Sequence, residues 1–358
     1  MRNFYYKLVK NVFVICVCSV IVLSYRLVYN EFYFEIHEEI EVGITEEDRV
    51  YPLGKIVGLY TKCNGVFVID TCEIECSDGT IVDIAGDEIK SGDYILSIDG
   101  IPLSEKEDMV KSVENSKGEP LEFEIAREDE KFTTLLTPVL AKNGNYMLGI
   151  WVKDDLAGVG TITYFTEQGD FAALGHGMGD GETKNLFDVD GGDVYLSHVA
   201  GIEKGMRGNP GEIKGIISYG FINHIGKVST NTGNGIYGML DQDNLQEYLR
   251  TYKSYEAADK QEIKQGPAQI LSEVSGELRV YDIMISYVDY LAMDSNKGLH
   301  IQVTDPELLA LTGGIVQGMS GSPILQNGRI VGAVTHVLVN DPTRGYGIFI
   351  ENMLEAAK

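Results

Sequence analysis

One segment of the sequence is built for nucleophilic chemistry: Gln317-Gly318-Met319-Ser320-Gly321-Ser322-Pro323, followed by the apolar pair Ile324-Leu325. Glycine at 318 lets the backbone turn so that the N–H groups of Gly318 and Ser320 converge on one point. Two converging donors form an oxyanion hole, and losing one typically costs roughly 10² to 10³ in rate. Gly321 leaves space around the hydroxyl. A serine alone is a weak nucleophile and needs a base. The chain offers six histidines: His37, His176, His198, His224, His300 and His336. His176 lies in Ala172-Ala173-Leu174-Gly175-His176-Gly177-Met178-Gly179, where the glycines give backbone freedom and open space beside the ring, and it is the expected base. His336 ends the apolar run Ile330–Thr335 only 16 residues after Ser320, and a pocket role suits it better than the base role.

The loop around Ser320 resembles the Gly-x-Ser-Gly-[Gly/Ser]-Pro loop of chymotrypsin-like serine peptidases. It is not the nucleophile elbow of α/β-hydrolases, which needs glycine at 322 and a parallel αβ alternation. For the acid, Asp305 in Val303-Thr304-Asp305-Pro306 gives the order His, Asp, Ser. Asp305 ahead of Pro306 equally suits a helix N-cap with proline at N1, and Asp170, Asp188, Asp190, Asp193 and Asp341 stay open. Gly175-His176-Gly177-Met178-Gly179 lacks the lysine and the βαβ setting of a phosphate loop. No His/Asp/Glu cluster has metal-ligand spacing, so no metal and no other cofactor is expected.

These residues must be positioned by a largely β framework. At about 150 residues per domain, the 358 residues suggest two domains or one large one plus extras. Glycine is frequent (41 residues), which favours short strands and tight turns. Lys and Arg total 29 against 54 Asp and Glu, a net charge of -25. So acidic a chain is a poor nucleic-acid partner, because backbone affinity rests on clustered cations. At the N-terminus, Val12–Leu23 is apolar apart from Ser19, preceded by Arg2, Lys7 and Lys10 and followed by an acidic segment from Glu31 to Asp48. This asymmetry predicts a signal anchor, residues 12–29, with the N-terminus cytoplasmic and the bulk of the chain outside. Of five cysteines, Cys16 and Cys18 lie in that run, and Cys63, Cys72 and Cys76 allow at most one disulfide.

Between residues 46 and 140 short alternating strands dominate. Ile89-Lys90-Ser91-Gly92-Asp93-Tyr94-Ile95-Leu96-Ser97-Ile98-Asp99-Gly100 carries two turn signals around a strand. Ser104–Asn115 predicts a helix with Ser104 and Glu107 as a capping box. Leu121–Ile125 alternates as a half-buried strand. The stretch resembles a PDZ domain. By that resemblance Leu53-Gly54-Lys55-Ile56 takes the place of the loop that receives a peptide carboxylate, with a strand edge beside it for β-addition. Further on, Asp241–Gln265 reads as one polar helix, ended by Gly266-Pro267, with Leu245, Tyr248, Leu249 and Tyr252 on one face.

Taken together, Ala173–Gly177, Gly208-Asn209-Pro210-Gly211-Glu212, Gly266–Leu271, Thr312–Pro323 and Ala333–Pro342 resemble the stage IV sporulation protein B peptidase family. The resemblance implies a mainly β chain: tail and signal anchor at 1–29, a juxtamembrane linker at 30–45, a PDZ domain at 46–140 and a chymotrypsin-like double β-barrel peptidase at 141–358. It implies Ser320 as nucleophile, His176 as base, Asp305 as acid, and an oxyanion hole from Gly318 and Ser320. It implies a secreted signalling peptidase of endospore formers that cuts a regulator of an intramembrane metalloprotease, between the forespore membranes, and also cuts itself near the N-terminus. The PDZ unit would bind a partner's C-terminus or the chain's own N-terminal tail. The alternative is an inactive, membrane-tethered PDZ scaffold.

Overall fold

The structure is a computed structural model that describes residues 49–128, 130–179 and 186–358. The anchor and linker expected at 1–45 lie outside the described residues, as do Cys16, Cys18 and His37. No helix among the described residues is long and apolar enough to cross a membrane.

The first half of the chain forms β1 (Arg49–Thr71), β2 (Tyr94–Ile98), α1 (Lys106–Ser116), β3 (Leu121–Arg127), β4 (Glu130–Leu136), β5 (Ile150–Phe165), β6 (Asp170–Ala173), β7 (Val189–Glu203), β8 (Glu212–Ile217), β9 (His224–Thr232), β10 (Gly235–Leu240) and α2 (Gln242–Thr251). Strands β1, β5, β6, β10, β9 and β7 follow one another by antiparallel pairing, and β7 pairs back onto β1. The ring is therefore closed, which removes its edges. Its inside holds Leu53, Val57, Ile162, Phe171 and Ile236. Leu245 and Tyr248 of α2 are buried against the same cluster, beside Leu249 and Tyr252. The helix stops at Thr251 because Tyr252 turns extended. The long helix expected to Gln265 is thus one short helix, and Gly266 opens a strand instead.

The second half gives β11 (Gly266–Ser272), β12 (Arg279–Val288), β13 (Leu299–Val303), α3 (Pro306–Thr312), β14 (Pro323–Gln326), β15 (Arg329–Leu338), β16 (Asp341–Phe349) and α4 (Ile350–Glu355). Its six strands close a second barrel in the order β11-β12-β13-β16-β15-β14. Alternating β-branched residues fill it, among them Ile270, Ile283, Ile301 and Ile324.

Beyond Lys62 and Asp155, which pair across the sheet, β1 and β5 leave the first barrel and enter a smaller unit. There Val66 and Val68 of β1 pack with Ile95, Met109, Val113, Phe123 and Ile125 from β2, α1 and β3. Arg127 makes a bidentate pair with Asp93, which is 1% exposed, holding β3 to the turn before β2. The helix starts at Lys106 without a side-chain cap, so the capping box expected at Ser104 is not used.

The start of this unit corrects the expected domain map. Residues 49–62 are a barrel strand, not part of the unit expected to be a PDZ domain. Leu53–Ile56 accordingly is no carboxylate loop. Leu53 and Ile56 are buried, the Ile56 N–H donates to Glu273 Oε2, and a Cβ at Gly54 would lie 2.8 Å from the Leu271 carbonyl oxygen. Cys63, Cys72 and Cys76 are free thiols, and burial pushes the Cys63 thiol up to about 11.

Candidate active site

The Ser320 loop and the His176 loop meet where the two barrels touch, and Thr161 of β5 sits between them. Its N–H donates to the Ser320 carbonyl (3.0 Å), its carbonyl accepts from the Leu174 N–H (3.1 Å), and its hydroxyl donates to the Gly318 carbonyl (2.9 Å). One fully buried residue thereby fixes the loops carrying the nucleophile and the base. Gly321 explains why the approach is so close. Its φ is +93°, and a Cβ there would stand 2.0 Å from the Thr161 carbonyl oxygen and 2.6 Å from Leu174 N.

Around Ser320, the N–H groups of Met319 and Gly321 are bonded inward, to Val316 O and Val334 O. Among the described residues no acceptor takes the N–H of Gly318 or of Ser320. The Ser320 hydroxyl donates to the Thr335 carbonyl of β15 at 2.8 Å.

His176 follows Leu174 and Gly175, both at positive φ (68° and 70°), so the chain turns sharply off the end of β6. A Cβ at Gly175 would lie 2.9 Å from Thr335 Cγ2, which places the turn on β15 beside the carbonyl that holds the Ser320 hydroxyl. The His176 Nδ1 lies 2.9 Å from the Gly177 carbonyl oxygen. A carbonyl only accepts, so Nδ1 carries the proton and Nε2 keeps its lone pair. Burial pushes the imidazole below the usual histidine range, and the Gly177 bond opposes that in part. The His336 ring stands 5.2 Å from the His176 ring. His336 Nδ1 is buried without a partner, and burial, together with the charge that His176 can carry, pushes its pKa down to about 4.

Asp305 is elsewhere in its contacts. Its Oδ1 accepts from the N–H groups of Glu307 and Leu308, and Oδ2 accepts from Asp282 N. It is the N-cap of α3, with Pro306 in the first turn. Both carboxylate oxygens are occupied by backbone donors, and among the described residues no carboxylate bonds to His176. The triad acid expected at Asp305 is corrected to a helix cap. Asp193 and Asp241 hold His224 (2.9 and 2.7 Å), and Asp341 accepts from Thr343.

A second feature went unread in the sequence. At the far end of β5, Ile150–Lys153 pair with β1 on one side only; among the described residues no strand covers the other edge, and α1 packs beside it. Gly149, at φ +69°, leads into this edge, with no room for a Cβ against the Cys72 carbonyl oxygen at 2.2 Å. Trp151 is 63% exposed there.

Residues 144–354, more than half of the chain, match the family described as SpoIVB peptidase S55. A curated relative named as a zinc metalloprotease, CPE1693 of Clostridium perfringens (strain 13 / Type A), is 36% identical over 62 residues. That match spans 17% of this chain and 18% of the relative. Among solved structures, the HtrA-type protease AlgW with tripeptide is similar at 13% identity and a TM-score of 0.33, over 56% of this chain and 54% of that one. The PDZ domain of the SdrC-like protein from Listeria monocytogenes is similar at 20% identity and a TM-score of 0.21, over 25% of this chain and 87% of that one.

Proposed function

Because the chain belongs to the SpoIVB peptidase S55 family, we propose that it is a serine endopeptidase with Ser320 as its nucleophile and His176 as its general base. The observation that carries this assignment is Thr161, whose three hydrogen bonds hold both loops. Rotation about the Ser320 side chain takes the hydroxyl from the Thr335 carbonyl toward His176. Nε2 of His176 accepts the proton as Ser320 attacks a peptide carbonyl. The N–H groups of Gly318 and Ser320 receive the oxyanion. The imidazolium then protonates the leaving amine, and water hydrolyses the acyl-enzyme.

The PDZ unit supplies a place to hold a peptide. A chain laid on the open edge of Ile150–Lys153, beside α1, would add a strand, and the turn at Gly149 would sit at its end. The substrate is a protein; by family resemblance it is a regulator of an intramembrane protease in forespore-to-mother-cell signalling, and the chain also cuts its own N-terminal segment. Residues 12–29 anchor the chain, with the bulk extracytoplasmic. Tethering would raise the effective concentration near membrane-bound substrates.

The test is chemical. Wild type is compared with Ser320→Ala and His176→Ala by fluorophosphonate labelling and by intact-mass readout of self-cleavage. Labelling and cutting in wild type, lost in both variants, are expected. Labelling that persists in Ser320→Ala removes Ser320 as nucleophile, and a wild type that neither labels nor cuts favours the inactive scaffold.

A further inference from the structure

The base of a serine peptidase needs something to hold its ring and fix its tautomer, and here that partner is a peptide group. The Gly177 carbonyl accepts from His176 Nδ1 at 2.9 Å. The N–H of the same peptide group, that of Met178, donates to Asn231 Oδ1 at 2.8 Å. Asn231 Nδ2 in turn donates to the carbonyls of Met178 and Phe187, both at 2.8 Å. Asn231 lies near the end of β9, next to the tight hairpin that pairs Thr232 with Gly235. Gly177 is packed too closely for a side chain: a Cβ there would stand 2.4 Å from the Thr232 carbonyl oxygen and 3.0 Å from Asn231 Oδ1.

We infer that Asn231 is a positioning residue for catalysis: acting through the Gly177–Met178 peptide, it orients the His176 ring and fills the place a carboxylate holds in a triad. This rests on the reading of Ser320 and His176 as nucleophile and base. The chain of bonds runs side-chain amide, peptide, imidazole, and each bond polarises the next. Asn231 Oδ1 on the N–H draws electron density toward the Gly177 oxygen, which strengthens its hold on the Nδ1 proton. The holder is neutral, so it steadies the imidazolium less than a carboxylate would. The other groups facing the ring do not supply that charge. His336, from β15, is neutral at ordinary pH, and the Asp294–Lys297 pair acts on His336 rather than on His176.

The experiment uses the purified full chain and measures the fluorophosphonate labelling rate of Ser320 against pH. Wild type, Asn231→Ala, Asn231→Asp, Asp305→Asn and His176→Ala are compared, with thermal melts to confirm folding. Asn231→Ala should label about 100-fold more slowly, the scale expected when a reacting group is misplaced by about 1 Å. Asn231→Asp keeps the acceptor for Met178 N–H and adds charge, so it should label faster than the alanine variant and move the acid limb to higher pH. Asp305→Asn keeps a good cap and should leave rate and limb as in wild type. If Asn231→Ala does not fold, the limb in Asn231→Asp decides. Wild-type rate and limb in both Asn231 variants, with His176→Ala silent, overturn the inference alone. An acid limb that moves in Asp305→Asn also overturns it and returns the acid to Asp305. Labelling that survives in His176→Ala overturns the reading of the base itself and this inference with it.

Discussion

The Thr161 hydroxyl donates to the Gly318 carbonyl across the seam between the two barrels, at 2.9 Å. Thr161 is fully buried and Gly318 partly so, and losing this bond leaves the Gly318 carbonyl without that partner. Thr161→Val keeps the shape and removes the donor. The variant should lose about 1–3 kcal/mol of stability, the cost of a buried unsatisfied polar group, and label with fluorophosphonate roughly 10- to 100-fold more slowly. Urea denaturation and labelling kinetics measure the two effects. Unchanged labelling would mean that the Gly318 turn holds itself.

Gly321→Ala is expected to be far worse. The new methyl would stand 2.0 Å from the Thr161 carbonyl oxygen, at a φ of +93° that side chains rarely adopt. The three atoms nearest to it, Thr161 O, Leu174 N and Leu174 Cα, are all backbone, and none is the end of a flexible side chain. The expected result is complete loss of labelling together with a lowered melting temperature.

His336, unpartnered at Nδ1, and His224, held by two aspartates, give opposite signs with pH. His336 has its folded pKa lowered to about 4, so the unfolded chain binds more protons below about 6.5. Stability should therefore fall as pH drops from about 6.5 toward 4, and His336→Gln should flatten that slope. His224 is held by Asp193 and Asp241, and these bonds raise its pKa against the opposing effect of burial. Its contribution is present below about 6.5 and is lost as pH rises through the folded value. The melting-temperature gap between wild type and His224→Gln should be larger at pH 6 than at pH 9. Equal gaps would show that the two aspartates add nothing through charge.

For activity, the lowered pKa of His176 places the acid limb of the labelling rate below about pH 6.5. A limb above that value would mean that a carboxylate faces the ring in solution.

Trp151 is the single tryptophan of the chain and lies on the open edge of the smaller unit. A hydrophobic peptide with a free C-terminal carboxylate should shift its emission, and the same peptide ending in an amide should bind more weakly. No shift with any peptide would move the peptide site away from Ile150–Lys153.

What the sequence disclosed and what it hid divide along the range of the interactions. The Gly-x-Ser-Gly-x-Pro loop and the glycines around His176 are local requirements, so residue types alone point to them. Asp305 misled because one local pattern, Asp before Pro, serves an acid and a helix cap alike, and only its partners Glu307, Leu308 and Asp282 decide. Leu53–Ile56 misled in the same way. A turn running into an apolar strand looks alike whether its edge is open or, as here, paired with β5 about a hundred residues away. Asn231 carried no signal, because its role depends on partners 44 and 53 residues off.

The pairing of Lys62 with Asp155 has a consequence for how the chain could be cut and rejoined. In the peptidase barrel, β1 and β5 are simply the two arms of a hairpin, and everything from residue 63 to residue 154 is cargo carried at its tip. A clone that starts at residue 141 lacks one barrel stave and cannot close. One that joins residues 49–62 to 155–358 through a two-residue turn keeps every stave.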